Sequence, residues 1–193
     1  MNRFIATSLA ILIFSAPAAW ALDTGFALAP SADHVLMDDN GHGIHIDGQT
    51  VVIENRDGDD ARISNSGNLT VNGKTVAVSA SQKRLLQRYN QTVKDIRTKG
   101  IDLGAHAASF AMTVAGDAIA ALFSGASEEE INRHAKAEAD KFKLQALPLC
   151  KDVQTLKQIQ DQLVAGIPAF QPFDVIEAKD AEDCERDIKS SDD

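Results

Sequence analysis

The sequence predicts an α+β protein: an N-terminal antiparallel β-meander of short strands packed with a C-terminal bundle of about four helices. Three observations carry this. Asn-Gly and Asp-Gly pairs crowd residues 33–78, between alternating runs only a few residues long. From Ser79 onward the apolar residues recur at spacings of three and four, the helical period. Strands first and helices afterwards is the order of an α+β chain rather than of alternating βαβ units.

The first 21 residues read as a secretory leader, not as part of the fold. Arg3 gives a short positive start, and Phe4 to Phe14 is uncharged but too short to span a bilayer core of ~30 Å. Pro17 breaks the helix and Ala19-Trp20-Ala21 supplies the small residues of a cleavage site. Cleavage is expected after Ala21, with export to the periplasm and no stable transmembrane segment left in the product. No cysteine follows the cut, so a lipid anchor has no attachment point there.

The β-rich region is expected over 22–78. Its turn signals are Asn40-Gly41, Asp47-Gly48, Asp57-Gly58, Ser66-Gly67 and Asn72-Gly73, and such pairs supply the positive φ angles that tight hairpins need. Between them lie Ile44-His45-Ile46, Val51-Val52-Ile53, Ala61-Arg62-Ile63, Leu69-Thr70-Val71 and Thr75 to Val78. A sheet of such runs has one apolar face, which something must cover.

The cover is the helical region, 79–170. Ser79 and Gln82 form a capping-box pattern, and Leu86, Tyr89, Val93 and Ile96 follow along one face until Lys99 and Gly100 signal a stop. A second helix is expected from Asp102 to Phe123. A third opens with Ser127 and Glu130 and carries Ile131, Ala135, Ala139, Phe142 and Ala146 until Pro148 interrupts it. A fourth runs from Lys151 to Ala165 with Val153, Leu156, Leu163 and Val164 inward and Gly166 as its end. Residues 171–193 form an acidic, partly disordered tail, so that 22–170 is one domain.

The formal net charge is −9, and loss of Arg3 with the leader deepens it by one. Nucleic-acid binding is excluded, because it needs a basic track to displace phosphate counterions. The chain has two cysteines, Cys150 and Cys184. In an oxidising compartment an even count reads as one disulfide rather than two free thiols, and the spacing excludes a CxxC redox site. The bond is expected to tie the acidic tail to the body.

Ser66-Gly67-Asn68-Leu69-Thr70-Val71-Asn72-Gly73-Lys74-Thr75-Val76, followed by Ser81-Gln82-Lys83-Arg84-Leu85-Leu86-Gln87-Arg88-Tyr89, resembles the YggN-like family. These are exported proteins of Gram-negative bacteria grouped under a domain of unknown function. The Ala-rich stretch from Ile101 to Gly125 is similar too, and the resemblance spans roughly residues 30–170. The family's mature N-terminus often carries a cysteine that this chain lacks, so no family disulfide pattern is carried over. The resemblance implies an address and an architecture, and no activity, cofactor or site residue.

The helix expected at 102–123 is the most unusual element. Ile101, Ala105, Ala108, Met112, Ala115, Ile119 and Leu122 form an apolar stripe at heptad spacing, and Leu103, Phe110, Val114 and Ala118 widen it. Only Asp102, His106, Ser109, Thr113 and Asp117 keep a polar line. A helix apolar nearly all round is buried in its own chain or meets a partner or lipid. The simpler expectation is a central helix wrapped by the others and the sheet. The sharper one makes Phe110, Met112, Ala115 and Ile119 a binding surface.

Other constellations explain themselves without chemistry. Asp102, His106 and Ser109 share one helical face, whereas hydrolase triads draw on separated segments with an oxyanion hole. No catalytic residue is assigned; Asp102 is expected as an N-cap or first-turn acid with His106 pairing to it. His34, His42 and His45 with Asp38, Asp39 and Asp47 have the donor types of a divalent-metal site. Yet His42 and His45 fall on opposite faces of a strand, and exposed turn polarity accounts for the group. Asn55 to Asp60 looks calcium-like, but Gly58 comes two positions early for an EF-hand loop, and a hairpin tip explains it.

The expected function is that of a non-enzymatic periplasmic protein that binds a protein partner, or a second copy of itself, through the apolar helix. A carrier of a small apolar ligand or lipid, with a cavity beside Phe110 and Met112, is the alternative. A metal-dependent enzyme, with His42, His45 and Asp47 converging, is the weaker one. No metal or cofactor is expected.

Overall fold

The computed structural model describes residues 34–37, 43–124 and 128–190. The leader, the Asn40-Gly41 turn and Ser127 of the expected capping box lie outside them. Among the described residues six strands form one antiparallel sheet: β1 (His34–Met37), β2 (Gly43–Asp47), β3 (Thr50–Glu54), β4 (Asp60–Ile63), β5 (Leu69–Val71) and β6 (Lys74–Val76). Each pairs with the next in sequence order. Four helical elements follow: α1 (Ala80–Ser124), α2 (Glu128–Gly166), a 3-10 segment (Pro168–Phe173) and α3 (Ala178–Ser190). The α+β class is as the sequence predicts.

The sheet's inner face follows from alternation. Ile44 pairs with Ile53, Ile46 with Val51, Ile53 with Ala61 and Ile63 with Leu69. All of these side chains are buried in the core. β1 is not among the runs that alternation picks out. Its register slips between His34 and Leu36, and both Val35 and Leu36 turn inward. A bulge that buries two consecutive side chains erases the period of two by which a strand is read.

The turns are set by their chemistry. β5 and β6 meet through Asn72-Gly73, both with positive φ (48° and 72°), the pattern of a type I′ hairpin. The β3–β4 and β4–β5 loops share one design. Asn55 N donates to Asp59 O and Gly58 N to Asn55 O, while Ser64 N donates to Asn68 O and Gly67 N to Ser64 O. In each loop the first side chain also accepts from the main chain: Asn55 Oδ1 from Asp57 N and Asp59 N, Ser64 Oγ from Asn68 N.

Gly67 does more than turn the chain. A Cβ there would lie 2.3 Å from the Lys83 carbonyl oxygen, so the β4–β5 loop sits directly on the first turns of α1. Asn90 donates to Ile63 O at 2.8 Å and to Gln49 O at 3.3 Å, fixing the helix against the end of β4 and the β2–β3 turn. Lys94 Nζ bonds Gln49 and Asn65 beside it.

The Ser79–Gln82 capping box is present. Ser79 N donates to Gln82 Oε1 at 2.7 Å, and Gln82 N donates to Ser79 Oγ at 3.3 Å. Gln82 Nε2 then donates to Gly166 O at 2.6 Å, closing the start of α1 onto the end of α2. The two are antiparallel neighbours, with Lys99 Nζ 2.5 Å from Asp152 Oδ2 and His106 Nδ1 3.2 Å from Gln145 Oε1 farther along.

Two expected helix ends are absent. α1 runs through Lys99-Gly100, and α2 runs through Pro148. One helical glycine costs about 1 kcal/mol, and continued packing of Ile96 and Leu103 on the core outweighs it. Pro148 denies Leu144 its hydrogen-bond donor, but both residues are exposed, so water can satisfy the freed carbonyl. The four expected helices are therefore two long ones, α1 with 45 residues and α2 with 39. At ~1.5 Å per residue α1 is about 68 Å long.

That length exceeds the sheet. Among the residues from Arg97 to Gln145 whose side chains are described none is buried, and the far halves of α1 and α2 form a two-helix stalk beyond the sheet-bearing head. Inside the head Tyr89 packs edge-on to Phe170 at 6.2 Å, and Phe170 contacts Phe173 at 5.9 Å. Beyond the 3-10 segment, Gln160 grips the chain. It donates to Asp174 Oδ1 at 2.6 Å and Ile176 O at 3.1 Å and accepts from Ile176 N at 3.4 Å.

The tail region is helical over α3, where Glu177 N donates to Asp180 Oδ2 at 2.8 Å as a first-turn cap. The Cys150–Cys184 disulfide, spanning 34 residues of sequence, joins α3 to α2 as expected.

Three outcomes follow. Gly67→Ala should cost about 3 kcal/mol or more in urea unfolding, because positive φ and the Lys83 carbonyl both oppose it. Gly48→Ala, equally left-handed but with open space around it, should cost about 1 kcal/mol. Replacing both cysteines by serine should remove ~3–4 kcal/mol and open residues 174–190 to protease while the sheet persists.

Burial, with the Asp174 carboxylate adding to it, pushes the Tyr89 phenol far above its ordinary 10.0. The unfolded chain then releases this proton above about pH 10 while the folded chain keeps it, so stability falls as pH rises past that point. Tyr89 is the sole tyrosine, so tyrosinate absorbance should appear only as the protein unfolds. Tyr89→Phe should remove this contribution to alkaline destabilisation.

Candidate functional site

α1 carries two apolar seams on opposite faces. The inner one begins with Leu86, Tyr89, Val93 and Ile96, all fully buried in the head. It continues on the same face with Leu103, Ala107, Phe110 and Val114, which are partly buried. This face is turned to α2, whose own partly or fully buried apolar residues at this level include Ala139, Phe142, Ala146, Leu147 and Leu149. Two helices cover only one side of each other, and the described α1 residues beyond Ile96 are at most partly buried.

The outer seam is Ile101, Ala105, Ala108, Met112, Ala115 and Ile119, and every one is exposed. Exposure is 50% at Ile101, 77% at Met112 and 57% at Ile119. At 3.6 residues per turn, Met112 stands roughly 200° around the helix from Phe110, so the seam faces away from α2. Its heptad spacing is that of a coiled-coil contact line. Leu122 is the next position in the repeat, but its side chain is outside the description.

The seam carries no charge. Asp102 borders it at one end, and Lys94 and Lys99 are already engaged with Gln49, Asn65 and Asp152. Gly104 and Gly116 lie within it, and a Cβ at either would meet open space, so their absence of a side chain is not forced by the chain's own packing. Among its described residues α2 adds one exposed large apolar side chain, Leu144 at 69%. Nothing in the sequence marks it, since it lies off the apolar line of its helix.

The expectation of a central, wrapped helix does not hold. The stripe at 102–123 is apolar nearly all round, yet it is the second half of a helix whose first half already fills the space against the sheet. Of the four residues expected at the binding surface, Met112, Ala115 and Ile119 lie on the outer seam, while Phe110 lies on the inner one. A cavity lined by Phe110 and Met112 together is ruled out by that opposition.

Asp102 lies in mid-helix, 22 residues after the first residue of α1, where the helix dipole gives it no advantage. His106 approaches Gln145. Ser109 is exposed, and its carbonyl accepts from Thr113 Oγ1 at 3.1 Å. All three residues are exposed on one face of α1.

Of the histidine group, His34 and His45 face each other across β1 and β2 with ring centroids 5.7 Å apart. His42, Asp38 and Asp39 lie outside the described residues. The Asp47 carboxylate is 3.2 Å from Arg62, which also holds Asp60 at 2.8 Å. Among the described residues no three His, Cys, Asp or Glu side chains gather as a metal would need. The calcium-like segment is a hairpin tip, with Asn55 bonded to main-chain amides and Asp59 accepting from Asn72 Nδ2 at 2.8 Å.

No curated protein and no solved structure matches the chain. A family model described as a protein of unknown function (DUF2884) matches residues 39–130, just under half of the sequence. The matched stretch takes in the sheet from β2 onward, the whole of α1 with both of its seams, and the opening of α2; over that stretch the chain is similar to an uncharacterised domain.

Proposed function

We propose that this is a non-enzymatic exported protein of the periplasm that engages a protein partner through the outer seam of α1. The observation that carries the reading is Met112, 77% exposed in the middle of an uncharged heptad line. Single exposed apolar residues are ordinary on protein surfaces, but a continuous row at the spacing of a helix contact is not.

Export is supported by the leader-like first 21 residues, by a disulfide suited to an oxidising compartment, and by the motif resemblance to the exported YggN-like proteins. Among the described residues no helix is long and apolar enough to cross a membrane. The exposed seam runs along the side of the stalk, and the partner is met there. A protein partner is favoured over a small apolar ligand because Phe110 and Met112 point to opposite sides and enclose nothing between them.

Met112→Asp and Ala115→Asp test the reading. Both sites are exposed, so helicity and melting temperature should stay near those of the parent. An aspartate forced into an apolar contact should weaken association at least tenfold. Cross-linking in intact cells should therefore lose its adduct in both variants. An undiminished adduct would remove the seam from the function.

A further inference from the structure

We infer that the outer seam pairs with a second copy of this chain, α1 running antiparallel to its counterpart across a two-fold axis level with Phe110. The inference rests on the seam being a contact surface and names its occupant. Antiparallel coiled coils place the two alternating heptad positions of one helix opposite those of the other. Reflection about residue 110 sets Ile101 against Ile119, Ala105 against Ala115 and Ala108 against Met112. Each seam residue meets another seam residue, which is the self-complementarity a two-fold interface requires.

The sizes suit this register. Alanines near the axis let the helices approach closely, Met112 is flexible enough to fill the space beside Ala108, and the isoleucines close both ends. Charge selects the direction. Parallel pairing would bring two heads of an acidic protein, net −9, side by side. Antiparallel pairing sends the heads to opposite ends. The seam itself offers no charge by which a partner of opposite sign could be chosen.

Area sets the strength. From Ile101 to Ile119 the seam is about 27 Å long on a helix ~12 Å wide, so two copies bury roughly 650 Å². That is below the ~1,000 Å² of a stable interface, and the dimer is weak and concentration-dependent rather than obligate.

The test is sedimentation and light scattering of the mature chain up to hundreds of micromolar, joined to disulfide trapping. Mass should double with concentration in the parent, with at least a tenfold weaker dimer in Met112→Asp. Both native cysteines are already bonded to each other, so a cysteine introduced on the stalk is the one reactive thiol. A mixture of Ile101→Cys and Ile119→Cys chains should yield the mixed 101–119 product several-fold over either homotypic product. Dominant homotypic products would overturn the antiparallel arrangement, and a monomer at every concentration would overturn self-pairing. If that monomer's cellular adduct still disappears in Met112→Asp, the seam serves a different partner; if the adduct survives, the functional reading of the seam fails as well.

Discussion

The packing of α1 against the body through Leu86, Tyr89, Val93 and Ile96 continues past the sheet with Leu103, Ala107, Phe110 and Val114, on the same face and at the same helical period. This one line decides where the other elements go. In the head it receives the sheet and the lower half of α2 together, and Phe170 closes it against Tyr89. Beyond the head there is no sheet left to receive it, and α2 alone continues along it. The molecule is a head and a stalk because the inner seam is longer than the sheet it serves.

A helix with an inner seam has an outer face, and its residues determine what happens there. Most stalks would carry lysine and glutamate on that face; this one carries alanine, glycine, isoleucine and methionine through Ile119. Covering a large apolar side chain contributes on the order of 1.5–3 kcal/mol. Ile101, Met112 and Ile119 are the large apolar side chains left uncovered on this face, and the residues between them are small. The acidic balance of the whole chain opposes indiscriminate clustering.

Polar side chains make the head particular rather than merely apolar. Asn90 and Gln160 are buried, and each spends its amide on main-chain groups of a neighbouring element. Gln82 serves a capping box and the end of α2 at once. Removing such a partner leaves a buried group unsatisfied, at about 1–3 kcal/mol each. They discriminate against slipped registers of helix on sheet that a purely apolar face would tolerate.

Local chemistry is legible in the sequence where it is decided locally. The strands after β1 could be read from alternation, the Asn72-Gly73 turn from its residues, the start of α1 from Ser79 and Gln82, and the disulfide from an even cysteine count. β1 escaped because its bulge buries Val35 and Leu36 in succession. Gly100 and Pro148 read as helix ends by propensity, yet both helices run through them. A cost of about 1 kcal/mol for the glycine is small beside the packing on either side of it. The stripe from Ile101 to Ile119 was visible as apolar, and its period was visible as heptad. What sequence could not assign was which part of that circumference meets the protein's own chain and which is left outside. Composition alone reports how much of a helix is apolar. Only the tertiary structure, by spending one face of α1 on α2 and ending the sheet near Arg97, decided that Phe110 turns inward and Met112 turns out.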